Sequence, residues 1–323
     1  MAKDTSQQPF ISFVVTCYNL PLKLLTDCLD SILALPLEKQ EREIIVVDDG
    51  SEQSLLNQMG PLLDHIVYVR QQNQGLSGAR NTGLNMCRGT YVQFVDGDDM
   101  LIREGYTHCI DLLRKDCQLD MLLFESTSEQ TGGGMAITDD APESGAEYMR
   151  HNNLHGSACS YLFRREAAGR LRFTPGILHE DEEFTPQLVL RADKLQHTSS
   201  LAYYYRRREN SIMRNTDSQH IERRLNDQEA VICRLNAMAD RMPTADKSAM
   251  QRRVHQLTMD YLYNTIILTA NSQQLEMRIE RLKGAGLFPL PDKDYTRKYK
   301  WFRLMTKNKM ARKMLVLALT KKR

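Results

Sequence analysis

Three short apolar runs, each ending in polar or acidic residues, constrain the fold of this 323-residue chain more than any other feature. The runs lie at 11–15, 43–47 and 91–95, and each has the length and the Val, Ile and Phe content of a buried strand. Helical patterns lie between them at residues 22–35, 52–59 and 77–87. Strands that alternate with helices predict βαβ units with right-handed crossovers, and hence an α/β fold with a mostly parallel sheet. The carboxyl ends of the three strands should therefore meet at one edge of that sheet.

The third run ends in an acidic stretch, Asp-Gly-Asp-Asp at 96–99. Carboxylates this close repel one another, and their desolvation is costly unless a cation or a hydrogen-bond donor compensates. A hard divalent cation does so with oxygen ligands and leaves positions open for substrate phosphates. In open α/β sheets, ligands bind outside the carboxyl ends of the strands. The stretch indicates either a metal–diphosphate site or a plain solvated turn, and a second acidic pair at 48–49 favours the site.

Five motifs follow one another over about residues 10–215. They are Thr-Cys-Tyr-Asn at 16–19, Val-Asp-Asp-Gly-Ser at 47–51, Gly-Leu-Ser-Gly-Ala-Arg-Asn-Thr-Gly at 75–83, Phe-Val-Asp-Gly-Asp-Asp at 94–99 and His-Glu-Asp-Glu-Glu-Phe at 179–184. Tyr-Tyr-Tyr-Arg at 203–206, followed by Asn-Ser-Ile at 210–212, is a looser match. In order and spacing the chain resembles inverting family-2 glycosyltransferases with the Rossmann-like GT-A fold, of the bacterial surface-polysaccharide type. The resemblance implies transfer of a sugar from a nucleotide diphosphate-sugar, by default a UDP-sugar, to an acceptor hydroxyl with inversion.

For the nucleotide, the resemblance implies a pocket that contains Thr16, Tyr18 and Asp49. Tyr18 offers a ring face and Thr16 a hydroxyl. Asp49 would accept a hydrogen bond from a ring N–H of the base, because an ionised carboxylate is only an acceptor. Asp48 either orients the loop or is a simple turn residue, and Asn19 is expected to cap the helix that follows it.

For the diphosphate, the resemblance implies a Mg²⁺ or Mn²⁺ ion bound directly by Asp98, with Asp96 on the metal or on a ribose hydroxyl. The cation would bridge the diphosphate and stabilise the negative charge that develops on the leaving group. Asp99 either supports the metal site or caps the helix that starts near Glu104. Arg80 either contacts the diphosphate through its planar guanidinium or forms a structural ion pair with a strand-end aspartate.

For the chemical step, the resemblance implies that Asp181 is the general base that takes the proton of the acceptor hydroxyl. A helix is predicted from about residue 182 to 191, and a helix N-terminus favours carboxylates, which is the plain alternative explanation of this acidic cluster. Glu180 either contacts the sugar or holds the loop. His179 either touches a phosphate or the metal, or is an ordinary loop histidine.

Cysteine use and hydropathy predict a cytoplasmic protein. The seven cysteines show no metal-ligand spacing, and most lie in apolar patterns, so buried reduced thiols are expected. Residues 1–9 are polar and carry no apolar signal-peptide core. No apolar stretch approaches the roughly 18 residues that a membrane span requires.

The formal net charge of +2 hides an asymmetry. Residues 291–323 carry twelve Lys and Arg against two Asp, a net charge of +10, which leaves −8 for the rest of the chain. The rest of the chain is acidic and contains no recognised nucleic-acid-binding motif, which argues against nucleic-acid binding. The basic tail also carries apolar residues at helical spacing over about 298–319, including the single tryptophan, Trp301. It predicts a peripheral anchor on an anionic membrane surface, at the inner face of the cell membrane, or else a basic helix packed on the acidic body.

The patterns divide the chain into a catalytic domain at 1–215 and a helical region at 216–323 that ends in the basic tail. Within the first, the nucleotide-sugar part is expected at about 10–125 and the acceptor part at about 126–215. A loop with Gly-Gly-Gly at 132–134 marks their junction. Two short strands are expected near 195–202 and 203–207 in the first region. Helical patterns in the second region cover 219–241, 245–269 and 272–283, with Pro243 at one boundary. The expected partners are a nucleotide-sugar donor and a saccharide or lipid-linked saccharide acceptor.

Two other functions compete with this interpretation. A nucleotidyltransferase on a related α/β sheet usually has a Gly-rich basic loop after the first strand, and residues 16–21 contain neither Gly nor Arg. A signalling receiver domain could use the acidic pair at 48–49 as a phosphorylation pocket. That function leaves the motifs at 96–99 and 179–184 unexplained.

Overall fold

The structure is a computed structural model that describes residues 8–129, 136–207 and 216–320. The triglycine at 132–134, the Asn-Ser-Ile motif at 210–212 and the last three tail residues at 321–323 lie outside these residues. The chain forms two compact units, Met1–Gly145 with Gly156–Arg208, and Ala146–His155 with Glu209–Arg323. Residues 146–155, placed by the sequence analysis in the acceptor part of the catalytic domain, belong to the second unit.

Among the described residues, the strands of the first unit are β1 (Ile11–Cys17), β2 (Arg42–Asp48), β3 (Val67–Arg70), β4 (Tyr91–Asp96), β5 (Met100–Leu101), β6 (Met121–Thr127), β7 (Tyr161–Arg164) and β8 (Leu195–Tyr204). They form one sheet in the order β3-β2-β1-β4-β7-β6-β8-β5. β3, β2, β1 and β4 run parallel, as do β6 and β8. β7 and β5 are antiparallel to their neighbours. The predicted α/β fold with its mostly parallel sheet is confirmed.

The helices are α1 (Leu22–Leu33), α2 (Gly75–Met86), α3 (Arg103–Lys115), α4 (Gly145–His151), α5 (Arg165–Ala168), α6 (Glu180–Val189), α7 (Ser218–Ala239), α8 (Thr244–Thr269), α9 (Ser272–Gly284), α10 (Arg297–Thr306) and α11 (Lys309–Thr320). All of α4 except its first residue, and α7 to α11, belong to the second unit. The predicted helices at 22–35 and 77–87 correspond to α1 and α2. The three helical patterns beyond residue 216 correspond to α7, α8 and α9.

The centre of the sheet places the ends of three strands together. β1 is buried along its whole length, and its register pairs Cys17 with Asp48 and Thr16 with Asp96. α2 packs closely on this strand, because a Cβ on Gly83 would lie only 2.2 Å from Cγ1 of Val14. The predicted meeting of the strand ends at one edge is therefore confirmed.

Two local predictions are wrong. The α-helix predicted at 52–59 is absent from the structure. Two short 3-10 helices, Leu56–Gln58 and Gly60–His65, occupy this part of the chain. Gly60 has a positive φ of 48°, and Pro61 lacks the N–H that a continuing helix needs. The two short strands expected near 195–202 and 203–207 are one strand, β8, because its backbone pairs with β6 without a break in the chain's direction.

The second unit is helical. α8 packs against α7, α9, α10 and α11, and it begins directly after Pro243, which the sequence analysis marked as a boundary. Its central position explains why it buries residues on every side rather than along one stripe. Over the described ranges, no helix has both the length and the apolar content needed to cross a bilayer.

Candidate active site

Asp48 holds the loop that leaves β2. It is fully buried, its Oδ1 accepts a hydrogen bond from the Ser51 N–H at 2.9 Å, and its Oδ2 accepts one from the Tyr68 hydroxyl at 2.6 Å. Arg70 Nε lies 3.5 Å from the same Oδ2. All of these partners are protein groups near the loop, so the geometry favours the loop-orienting role for Asp48.

Asp49 is the carboxylate that the loop presents. Its N–H donates to the Cys17 carbonyl at 2.9 Å, which fixes it beside the end of β1. Its Oδ1 accepts two hydrogen bonds, from Gln71 Nε2 at 2.7 Å and from the Gln74 N–H at 2.9 Å. Gln71 is held in turn by the Thr82 hydroxyl, which donates to its Oε1 at 2.6 Å. Both bonds to Asp49 fall on one oxygen, and this leaves Oδ2 as the acceptor suited to an N–H of a nucleotide base.

The two other predicted pocket residues lie at the end of β1. Thr16 is buried, and its carbonyl accepts the Gly97 N–H at 2.9 Å, which ties the loops after β1 and β4 together. Tyr18 is 53% exposed, so its ring is accessible to a ligand. The capping role expected for Asn19 is wrong, because its Oδ1 accepts the Glu52 N–H at 2.8 Å and α1 has no side-chain cap. Asn19 adopts a positive φ of 46° and joins two loops instead.

Arg80, on α2, is a buried bridge between two carboxylates. Its Nη1 donates to Glu180 Oε1 at 2.8 Å and its Nη2 to Asp96 Oδ1 at 3.0 Å, while its guanidinium lies 5.5 Å from the centre of the Phe173 ring. Only 4% of the Arg80 side chain is exposed. The ion pair with a strand-end aspartate is therefore confirmed, and a direct contact of Arg80 with a diphosphate stays a prediction.

The acidic loop after β4 is fixed from the end of β8. The buried Tyr203 hydroxyl accepts the Asp96 N–H at 3.2 Å and donates to Asp99 Oδ2 at 2.7 Å. The Arg206 N–H donates to Asp99 Oδ1 at 2.8 Å, and Arg206 Nε donates to the Asp98 carbonyl at 3.0 Å. Tyr203 and Arg206 therefore position the loop, a role that the sequence analysis did not find. The looser Tyr-Tyr-Tyr-Arg match was the signal that pointed to them.

Asp99 does not cap a helix. The cap position of α3 is Ile102, and both carboxylate oxygens of Asp99 are engaged by Tyr203 and Arg206. Burial raises the pKa of Asp99 to about 8, and the neighbouring charges of Asp96 and Asp98 add to the rise. The alternative, support of the acidic loop, fits this geometry.

The predicted general base, Asp181, and the possible supporting residue Glu180 lie at the first turn of α6. His179 precedes the helix with a left-handed backbone, φ 66° and ψ 32°, an uncommon conformation for a residue other than glycine. Glu180 is buried and held by Arg80, which matches the loop-holding alternative for this residue. Asp181 is half-buried, and its Oδ1 accepts the Glu182 N–H at 2.8 Å.

Desolvation raises the pKa of the Asp181 carboxyl well above its usual range, and the negative charges of Glu180 and Glu182 raise it further. Arg80 and the hydrogen bond from the Glu182 N–H act in the opposite direction. A carboxylate with a raised pKa is a stronger base, and base strength near the working pH is what proton transfer requires.

Aromatic packing fixes the start of α6 against the sheet. Phe184 stacks on Phe173 with ring centres 3.9 Å apart and planes 12° apart. Both rings meet Phe94 of β4 edge to face, at 5.3 Å for Phe173 and 6.4 Å for Phe184. The Tyr161 and Thr185 hydroxyls also lie 3.1 Å apart, which adds a hydrogen bond between β7 and α6. These contacts therefore fix Glu180 and Asp181, at the start of α6, relative to β4, the strand that leads into the loop at 96–99.

Asp96 and Asp98 are the groups that fit the implied divalent cation. Both are half-buried, and Asp96 uses only Oδ1 to bind Arg80. Throughout the described part of the chain, no three His, Cys, Asp or Glu side chains are grouped as a metal-binding set. One or two carboxylates completed by substrate phosphates and water are nevertheless a usual environment for Mg²⁺, so this pair of oxygen donors suits a hard cation that binds together with the substrate.

Comparison with known proteins assigns the chain to a family. The family model described as glycosyl transferase family 2 matches residues 12–172, which include the strand ends, α2 and the acidic loop. The chain belongs to this family, and its fold is the GT-A fold.

One curated relative is the glycosyltransferase GlyA of Streptococcus pneumoniae, which is 31% identical over 222 residues. The alignment covers 63% of this chain but 31% of GlyA, so the chain spans about a third of that relative's length.

Two solved structures share the fold. Staphylococcus aureus TarS 1–349 in complex with UDP-GlcNAc superposes with a TM-score of 0.57 at 18% identity, covering 86% of this chain and 89% of the other. The mannosyltransferase PcManGT of Pyrobaculum calidifontis, in complex with GDP-Man and Mn²⁺, gives 0.57 at 15% identity, with 96% and 87% covered.

Proposed function

We propose that this protein is a glycosyltransferase, which moves a sugar from a nucleoside diphosphate-sugar, with UDP as the nucleotide, to an acceptor hydroxyl with inversion at the anomeric carbon. One observation carries the proposal. Arg80 binds both Asp96, on the loop suited to the diphosphate, and Glu180, next to the candidate base Asp181. A single buried guanidinium thus joins the donor side of the site to the residue next to the group that would act on the acceptor.

The nucleotide would bind at the ends of β1 and β2. Tyr18 offers an exposed ring for the base, and Oδ2 of Asp49 would accept a base N–H. Thr16 would lie beside the ribose or base. Uracil has a ring N–H that suits a carboxylate acceptor, and the similar TarS structure contains UDP-GlcNAc, both of which support a uridine nucleotide.

The diphosphate would bind at the loop after β4 together with Mg²⁺ or Mn²⁺, held by Asp98 and Asp96. The bound cation would supply positive charge against the leaving diphosphate. The similar PcManGT structure, which contains Mn²⁺, supports a metal in this role. Asp99, Tyr203 and Arg206 would hold the loop so that its two carboxylates need not reorganise.

Asp181 would act as the general base in one in-line displacement. The acceptor hydroxyl transfers its proton to the Asp181 carboxylate while its oxygen bonds to the anomeric carbon. The bond from that carbon to the diphosphate oxygen breaks at the same time, and the electron pair leaves with the nucleoside diphosphate. Because the acceptor attacks opposite to the leaving group, the anomeric configuration inverts. His179 and Glu180 would shape the acceptor side of the site.

The proposed acceptor is a saccharide or a lipid-linked saccharide in the assembly of a polysaccharide or glycolipid. The proposed location is the cytoplasm, peripheral to the inner face of the cell membrane. We propose residues 1–215 as the catalytic domain and 216–323 as a helical region, with acceptor selection by residues 126–215.

The test is a donor screen with UDP-, GDP- and TDP-sugars and Mg²⁺ or Mn²⁺, which measures release of the nucleoside diphosphate and transfer to saccharide acceptors. Asp181→Asn should lower turnover by about 10²- to 10⁴-fold and leave nucleotide binding nearly unchanged. Glu166→Gln is the control, because it removes an exposed carboxylate of α5 that is outside the proposed site and should leave activity unchanged. Wild-type turnover in Asp181→Asn would contradict the role of Asp181. Release of pyrophosphate from a nucleoside triphosphate would indicate a nucleotidyltransferase instead.

A further inference from the structure

The last two helices of the second unit carry an exposed apolar surface that the proposed chemistry does not use. Its large side chains are each at least 49% exposed, and we call them the tail surface: Trp301, Leu304, Met310, Met314 and Leu317. Met310, Met314 and Leu317 lie four and three residues apart, and Trp301 and Leu304 lie three apart, so each set occupies one face of its helix. Exposed apolar side chains grouped on one face of a helix are typical of interaction sites.

The opposite faces of the same helices are packed. Tyr299 and Phe302 of α10 and Leu315 of α11 are buried, and α11 lies against α8 and α9. Arg312 forms two hydrogen bonds with Glu276 at 2.7 Å, one to each carboxylate oxygen. Packing within the unit therefore buries the inner faces of α10 and α11, whereas the tail surface stays exposed. Because the helices are already folded, docking through that surface would not require them to order on binding.

Cationic side chains surround the tail surface. Lys313 is three residues from Met310 and four from Leu317, and Lys307 is three residues from Leu304, so these lysines lie beside the apolar face. They are exposed, as is Lys309. Within the described range, the ion pairs of α10 and α11 are made by other residues: Lys300, Arg303 and Arg312.

We propose that the tail surface docks reversibly on an anionic lipid bilayer, with its apolar side chains in the interfacial layer and its lysines at the headgroups. Basic residues around an apolar helical face match an anionic interface in both charge and polarity. A second copy of the chain is disfavoured, because it would bring two cationic surfaces together. A nucleic acid would match the lysines but leave the apolar residues in water.

The first experiment uses the full wild-type chain and its own probe. Trp301 is the single tryptophan, and it lies half-exposed on the tail surface. Vesicles of phosphatidylcholine with phosphatidylglycerol should sediment the protein and shift Trp301 emission to shorter wavelength, and both effects should weaken as salt rises. Vesicles of phosphatidylcholine alone should do neither. Equal binding to both kinds of vesicle, or no emission shift with either, would overturn the proposal.

The second experiment tests the apolar part. Met314→Ser with Leu317→Ser should weaken binding to the anionic vesicles roughly ten- to hundred-fold, because two side chains lose burial in the interface. The matched control is Leu56→Ser with Val67→Ser, which removes two exposed apolar side chains from the first unit and should not change binding. Unchanged binding in the Met314 and Leu317 variant would show that charge alone causes the binding, and would overturn the proposal.

The third experiment tests the basic part. Lys309→Gln with Lys313→Gln should weaken binding by about five-fold for each lysine at low salt. Lys39→Gln with Lys115→Gln removes the same charge from exposed positions of the first unit and serves as the control. Equal losses in both variants would show that only net charge matters. Self-association without vesicles that the Met314 and Leu317 variant abolishes would assign the surface to a second copy.

Vesicle binding is measured without a sugar donor, so its outcome is independent of the proposed glycosyl transfer. An active enzyme that binds no vesicles would contradict the docking proposal and the proposed peripheral location but not the proposed glycosyl transfer. An inactive protein that binds vesicles would contradict the proposed transfer and support the docking.

Discussion

Replacing Arg80 by methionine tests whether the site depends on one buried cation. The substitution keeps a long side chain but removes the guanidinium that binds Glu180 at 2.8 Å and Asp96 at 3.0 Å. Two carboxylates then lose their shared counter-charge, and the nearby Asp181 loses the positive charge that lowers its pKa. We expect a marked loss of stability rather than a local change in affinity alone.

The size of the loss follows from burial. A hydrogen bond to a charged group contributes roughly 1.5–3 kcal/mol, and removal of one partner from a buried ion pair costs about 3–5 kcal/mol. The Glu180 side chain is 11% exposed and keeps little access to water, whereas that of Asp96 is 32% exposed and can be rehydrated in part. We therefore expect about 3 kcal/mol, the lower end of that range.

The loss should also depend on pH. Without Arg80, which lowers the pKa of Asp181, the Asp181 carboxyl of the folded protein holds its proton to higher pH than it does in the wild type. A folded state that binds more protons than the unfolded state loses stability as pH rises. The difference between wild type and Arg80→Met should therefore be larger at pH 8 than at pH 5.

Urea denaturation followed by far-ultraviolet circular dichroism measures the free energy of unfolding at both pH values. Arg114→Met is the matched control, because Arg114 binds both oxygens of Glu41 at 2.9 and 3.0 Å but is 42% exposed. An exposed pair of this kind contributes about 0–1 kcal/mol. Equal losses in the two variants, or a loss in Arg80→Met that does not change with pH, would refute the reasoning.

Three further predictions concern the nucleotide, the loop and the base. In calorimetric titrations with a nucleoside diphosphate, Asp98→Asn should weaken only the Mn²⁺-dependent part of binding, and Asp49→Asn should weaken binding with or without Mn²⁺; identical losses would show that the two roles are misassigned. Tyr203→Phe removes the hydroxyl buried under the acidic loop, so it should cost about 1–3 kcal/mol of stability and weaken Mn²⁺-dependent binding, whereas Tyr204→Phe on the same strand should do neither. Asp181 must be ionised to act as the base, and its pKa is raised. The value of kcat/KM should therefore fall as the pH is lowered, with a midpoint well above the pKa of an ordinary aspartate. A value of kcat/KM that does not change over this pH range would argue against Asp181.

The strand ends could be predicted from the sequence because the pattern that specifies them is local. An apolar run of five residues that ends in Asp or Thr predicts a buried strand and the side chains at its end, whatever the rest of the chain does. Parallel pairing of β1 with β2 and β4 follows from the intervening helices. The positions of Thr16, Asp49 and Asp96 at one edge were therefore predictable.

Local rules failed where a side chain's partner lies far along the chain. Asn19 looked like a helix cap, but its oxygen binds the Glu52 N–H, 33 residues away. The capping alternative for Asp99 fails for the same reason, because Asp99 binds Tyr203, 104 residues away. In both cases the side chain does accept a hydrogen bond, as predicted, but from a different donor. Sequence spacing does not reveal which donor from a distant part of the chain lies nearby in the fold.

The sequence alone determined the α/β class, the edge of the sheet at which polar groups collect, and the family to which the chain belongs. Only the tertiary structure decided that Arg80 joins Asp96 to Glu180, although 100 residues separate Arg80 from Glu180. The stacking of Phe173 on Phe184, which fixes the start of α6, was equally invisible. Strand and helix patterns follow from the burial of neighbouring residues and can be read along the chain. The pairing of buried charges depends on which elements the folded core brings within hydrogen-bonding distance, and that is determined by packing in three dimensions.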